Sequence, residues 1–285
     1  MFSGTLSGTN ILGTRVPSVW HGKMFSLNQL AILTGSPWRM EISMDSQSRP
    51  RIEPTSESMA AAANDEDIIA CRYELARFSA NQLEEAGTEL HVIGHLIGPD
   101  RAQGKSPFGH GNDETVAVSV LLRVSGQLIS ASTDLFADGR QYAAAALLRQ
   151  MVEIEYLAWA FETRDGDAER WLRSNQRERQ EFFKPAKLRA AAGQGTFRGK
   201  DYSYHCELGG HPVPQAGILL GGDSAVGQLL LSDLLGHAGQ IWNHLGGWAQ
   251  QNENGEPILR RSLGMSIRFR EWRSKDPLFD LPPPP

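Results

Sequence analysis

Leu147-Leu148-Arg149-Gln150-Met151-Val152-Glu153-Ile154-Glu155-Tyr156-Leu157-Ala158-Trp159-Ala160-Phe161 decides the fold class of this 285-residue chain. Leu147, Met151, Ile154, Ala158 and Phe161 recur at steps of four, three, four and three, and Leu148, Val152 and Trp159 widen the apolar arc. That period is helical, and an arc so wide belongs to a helix surrounded by others. The segment from about Arg140 to Arg164 is therefore the central helix of a bundle. Steps of about 100° around its axis place Glu155 between Met151 and Leu148, and Glu153 with Arg149 on the polar side. Glu155 is thus the half-buried carboxylate, which needs a cationic or hydrogen-bonding partner. Arg198 is one candidate; a structural ion pair elsewhere is the other.

Helices also dominate on either side of this segment. Asn64 or Asp65 can cap a helix carrying Ile69, Tyr73, Ala76, Ala80 and Leu83 on one face. Gly98 to Gly111 reads as a loop, Asp113 opens a helix to about Ala137, and Asp138-Gly139 breaks it. A charged helix is expected from about Asp167 to Phe183, with Pro185 separating it from a short turn to Ala192. Asp223 caps a helix to about Gln250, whose Leu231, Leu234, Leu235, Ala238, Ile241, Trp242 and Leu245 share one face. A basic helix follows from about Glu256 to Arg273. No segment alternates with the period of a strand. The expected fold is all-α: a four- or five-helix bundle with an additional C-terminal helix, over residues 64–275. Residues 1–63, with scattered Gly, Ser, Thr and Pro, are expected to be a poorly structured arm, with Met44 or Met59 as the natural start. Residues 276–285 form a proline-rich tail.

Net charge is −5, which argues against coating nucleic acid by bulk electrostatics. Two cysteines, Cys71 and Cys206, cannot build a disulfide framework, which points to the cytoplasm. No apolar run approaches the ~20 residues that span a bilayer, so no membrane partner is expected.

Function is expected where titratable groups crowd a loop between rigid helices. Phe197 to Pro214 is such a segment, holding Arg198, Lys200, His205, Cys206, Glu207 and His211 among glycines and prolines. His91 and His95 stand at metal-sharing spacing but lack a third ligand, so no metal site or cofactor is expected. Asp233, His237, Gln240 and His244 form a polar stripe on the late helix. Asp233 and His237 could pair there, while His237 and His244, about 10.5 Å apart along the axis, cannot hold one ion together. Arg260, Arg261, Arg268, Arg270 and Arg273, and the arginines from Arg170 onward, give basic faces where phosphates could rest.

Two stretches carry a family resemblance. Leu147 to Leu157, and Asp201-Tyr202-Ser203-Tyr204-His205 through His211-Pro212, resemble the central helix and Tyr…His-Pro segment of bacterial HEPN-like bundles (higher eukaryote and prokaryote nucleotide-binding). Arg198 and His205 have six residues between them, as in HEPN motifs. The resemblance implies a metal-independent endoribonuclease of a toxin or defence system. His205 would be the acid–base, Arg198 the phosphate anchor and Glu155 the orienting carboxylate, with Lys200, Tyr202 and His211 as binding residues. It also implies a homodimer and an RNA or nucleotide partner. Gly199 departs from the polar residue that catalytic members place after the arginine. A non-catalytic nucleotide-, RNA- or protein-binding bundle, or a purely structural protein, therefore stands beside the nuclease reading.

Overall fold

The computed structural model describes residues 61–96, 111–198, 201–221 and 224–278. Five long helices build the core: α1 (Glu66–Leu96), α2 (Asp113–Ala137), α3 (Gln141–Thr163), α8 (Ser224–Gln251) and α9 (Glu256–Lys275). Shorter pieces between α3 and α8 are α4 (Asp167–Arg173), α5 (Gln176–Phe182), α6 (Pro185–Ala192) and α7 (Asp201–His205), then a π turn at Cys206–Gly210 and a 3-10 turn at Pro214–Leu220. No strand occurs among the described residues. The fold is all-α.

Local chemistry sets most boundaries. The Asp65 carboxylate accepts from the amides of Asp67 and Ile68 and caps α1. The Asn112 side chain accepts from the Thr115 amide, so the cap of α2 is one residue earlier than Asp113. Gly139, with φ of 71°, turns the chain into α3. The charged helix expected from Asp167 to Phe183 is two helices. It breaks at Ser174 because Asn175 and Glu178 form a reciprocal capping box that starts α5. The Phe197–Pro214 segment, expected as a loop, contains α7 and the π turn. The helix-capping role given to Asp223 and most of the Gly98–Gly111 loop lie outside the described residues, as do residues 279–285 of the proline-rich tail and residues 1–60 of the arm. Residues 61–64 are helical, with Ala62 and Ala63 buried.

The pairing of helices follows from their contacts. α1 and α2 run antiparallel and close together; a Cβ on Gly126 would sit 2.8 Å from the Ala80 carbonyl oxygen. α2 is long and apolar enough to cross a membrane, with mean hydropathy 1.3, which corrects the expectation that no such run exists. Here its Ala117, Val118, Leu121, Leu122 and Ile129 are buried in the bundle core. Glu155 faces His237 and, seven residues on in each helix, Glu162 faces His244, so α3 and α8 run parallel. Parallel neighbours need a long return connection. Residues 164–223 supply it, and they lay α7 and the π turn along α3. The fit is close at Gly209, whose Cβ would meet the Ala145 and Ala146 backbone at 2.5 Å.

A buried ion pair joins the first and last helices. Arg72 and Asp276 are both fully buried; Nε and Nη2 of the arginine each donate to one carboxylate oxygen at 2.7 Å. Gln228, Trp272 and Ser232 complete the network. The folded body thus continues past Lys275, since Asp276 and Leu278 are buried.

Candidate functional site

The parallel seam between α3 and α8, roofed by α7, holds a cluster of ionisable side chains. α7 presents Asp201 and His205 one helical turn apart, and α8 presents Asp233 and His237 at the same spacing. His205 Nε2 lies 3.0 Å from Asp233 Oδ2 and 3.5 Å from Asp201 Oδ1. His237 Nε2 lies 3.7 Å from Asp201 Oδ2 and 3.8 Å from Asp233 Oδ1. One ligand-capable atom from each of the four residues lies within 4.8 Å of the other three. The two imidazole rings meet edge-on at 5.4 Å.

Two further groups complete the cluster. Glu155 Oε2, reaching from α3, is 2.6 Å from His237 Nδ1. That contact holds a proton on Nδ1 and turns Nε2 toward the carboxylates of Asp201 and Asp233. Arg198 Nη1 donates to Asp233 Oδ1 at 3.0 Å, and its side chain, 41% exposed, is the part of the cluster that meets solvent.

The electrostatics are balanced. Burial pulls the His205 pKa down, but the carboxylates of Asp201 and Asp233 outweigh it and lift it to about 9. His237 is also raised, against burial, by Asp201 and Glu155. Burial pushes Asp233 up, but His205, His237 and Arg198 hold it well below the usual carboxylate range. Asp201 is lowered in the same way by the two histidines. With both histidines protonated, three carboxylates face three cations. One divalent cation replacing the two imidazolium charges would keep that balance.

Hydrogen bonding is less complete than charge. Neither nitrogen of His205, nor His237 Nε2, has a hydrogen-bond partner among the described residues, although all three atoms are buried. The 3.0 Å approach of His205 Nε2 to Asp233 is close enough for ion pairing, but it is misdirected as an N–H bond. Buried imidazole nitrogens without partners are costly unless something else satisfies them.

Of the residues singled out from sequence, Arg198 and His205 meet at Asp233, and Glu155 joins the same cluster through His237. Glu155 pairs with His237 rather than Arg198, because Asp233 takes the guanidinium. Tyr202 turns away: its hydroxyl accepts from Arg149 at 2.8 Å and lies 3.3 Å from Glu153. His211 is exposed on the far side of the π turn, and Lys200 lies outside the described residues. Asp201 was not anticipated, and Asp233 and His237 were read as a polar stripe in which the two could pair with each other, not as partners of His205. The signal that finds them is the spacing Asp-x-x-x-His, which occurs at 201–205 and again at 233–237. His91 and His95 meet edge-on with ring centroids 4.3 Å apart, and His91 Nδ1 lies 3.4 Å from the Ser119 hydroxyl. His244 pairs with Glu162 at 2.6 Å. Much of the expected basic surface is already engaged: Arg260 and Arg261 bind Glu89, Arg173 binds Asp113, and Arg268 lies over the Phe78 ring.

Protein-family models, curated proteins and solved structures gave no match to this chain.

Proposed function

We propose that this bundle binds one divalent transition-metal ion between α7 and α8. Asp201, His205, Asp233 and His237 are the ligands, Glu155 orients His237, and Arg198 neutralises the outer side of Asp233. The observation that carries the reading is the pair of buried, unpartnered imidazole Nε2 atoms facing two carboxylates at 3.0–3.8 Å. Ligand bonds of about 2.0–2.1 Å in a tetrahedral site put neighbouring ligand atoms about 3.3–3.4 Å apart, within that range. Two nitrogens and two oxygens, with no thiolate, suit zinc, manganese or iron. The Glu155–His237 contact is the carboxylate–imidazole support typical of metal-bound histidine. A divalent ion held there would supply Lewis-acid chemistry.

The test is direct. Chelator-stripped full-length protein is titrated with Zn2+ and Mn2+ by calorimetry, and its metal content is measured. One ion per chain is expected, with His205→Gln and His237→Gln each weakening uptake by about 100-fold or more while helical circular dichroism is retained. Folded wild-type protein that takes up no ion at all would end the proposal.

A second reading rests on a different observation, the meeting of Arg198 and His205 at Asp233 in a cluster that Glu155 joins through His237. It is the metal-independent RNA cleavage that the HEPN resemblance implies, in a homodimer with RNA as partner. Cleavage of single-stranded RNA in excess chelator, abolished by His205→Ala, would support it. Its difficulty is access, since His205 is only 1% exposed.

A further inference from the structure

Between Glu181 and Asp201 the chain carries Lys184, Lys187, Arg189, Arg198 and Lys200 and not one acidic residue, although the whole protein is acidic at −5. Within this stretch lies a cavity of about 620 Å³ lined by Ala186, Arg189 and Ala190 of α6, the glycine turn after it, and Phe197; Arg189 is the basic residue that lines it. That volume falls in the range of small-molecule pockets. Arg189 points to no carboxylate: it makes no hydrogen bond or ion pair with any described residue. Ala186, Arg189, Ala190 and Gly193 follow helical spacing, so one face of α6 offers methyl groups around a single guanidinium.

The other wall is aromatic and fixed. The Phe197 ring packs at 4.2 Å on Tyr156 and at 5.6 Å, edge-on, against Trp159. Behind it the Tyr156 hydroxyl is buried and has no hydrogen-bond partner among the described residues. Asp201 acts on that hydroxyl from the metal-centre side and Arg189 from the cavity side. One residue beyond Phe197, Arg198 binds Asp233. Cavity and centre therefore share a wall.

We infer that this cavity is a binding pocket for a small molecule carrying a phosphate or carboxylate on a flat apolar body. Arg189 takes the anionic head through its forked donors, and the planar body lies between Phe197 and the alanine methyls. A polyanion is disfavoured: the net charge of −5 repels it, and two arginines of α9, Arg260 and Arg261, are occupied by Glu85 and Glu89. The pocket does not require the metal ion.

The experiment uses full-length protein, once in excess chelator and once with Zn2+. Phenyl phosphate and benzoate are the probes, benzyl alcohol the neutral control and an octauridylate RNA the polyanion control, with binding read by ligand-observed NMR and calorimetry. Phenyl phosphate is expected to bind in both conditions, more tightly than inorganic phosphate, and Arg189→Gln to weaken it by about tenfold or more. Arg189→Lys should retain part of the affinity, because the charge remains but the fork is lost. Four results overturn the assignment: no phenyl phosphate binding up to about 10 mM, equal binding of benzyl alcohol, no effect of Arg189→Gln, or binding of the RNA alone. Arg189 is half-exposed, so its substitution leaves the core intact. Probe binding in chelator without metal uptake would remove the metal reading and leave this one standing.

Discussion

Consider the metal-free protein and the substitution His205→Asn. In the folded chain His205 titrates at about 9, against roughly 6.5 unfolded, because Asp201 and Asp233 favour its proton more than burial opposes it. A value raised by folding gives stability that is complete below pH 6.5 and lost as pH rises through 9. Linkage over that interval gives about 3 kcal/mol at pH 6, about 2 kcal/mol at pH 7.5 and under about 1 kcal/mol at pH 9. These are upper figures, since the imidazole nitrogens lack well-directed acceptors and the attraction is Coulombic. Asparagine cannot take up that proton. Urea unfolding in excess chelator at the three pH values should therefore show the wild-type advantage shrinking by about 2–3 kcal/mol from pH 6 to pH 9, above any constant packing loss. A difference that stays flat across this range would show that His205 does not carry the charge assigned to it.

Glu155→Gln keeps the shape of the side chain but removes the negative charge that faces His237 Nδ1. Zinc affinity by competition with a chromophoric chelator should fall about 10–100-fold with helical content unchanged, and an unaltered affinity would exclude Glu155 as a positioning residue. Arg72→Met strands Asp276 in the core and should cost about 3–5 kcal/mol in urea unfolding. The double variant Arg72→Met/Asp276→Leu should recover most of that loss, and a double variant as weak as the single one would refute the account of this pair.

What the sequence made legible was local. Asp65 and Gly139 begin or end helices through contacts within a few residues, the start of α2 was read within one residue of its Asn112 cap, and α1, α2, α3, α8 and α9 were readable from such signals and from apolar period, whereas the short turn expected after Pro185 is the helix α6. α7 was hidden because five polar residues have no period, and its helical state depends on packing against α3 and α8. The break at Ser174 was missed although Asn175 and Glu178 stand at capping-box spacing, because the charges on both sides fit one helix equally well. At the site, the arc of α3 correctly placed Glu155 at the buried edge. Its partner was not legible, since whether Arg198 or His237 faces it depends on α3 and α8 running parallel. That is a property of the 164–223 connection, not of either helix. Asp201 was overlooked beside the more conspicuous His205, yet the repeated Asp-x-x-x-His spacing was in the sequence throughout.

The Arg72–Asp276 pair has a consequence for how the protein comes into being. The two residues are separated by 204 positions, so a ribosome delivers the arginine roughly 10–40 s before its carboxylate. Over that interval the guanidinium has no counter-ion for its buried position, and drying it without one costs several kcal/mol. The early helices of the nascent chain must keep that end of α1 wet and its apolar face open. Final closure is triggered by the arrival of α9 and Asp276, so the last long helix to be made admits the first to the core. Chaperones that recognise exposed apolar helices have their window on this chain before that moment, and a chain cut short of Asp276 never leaves it.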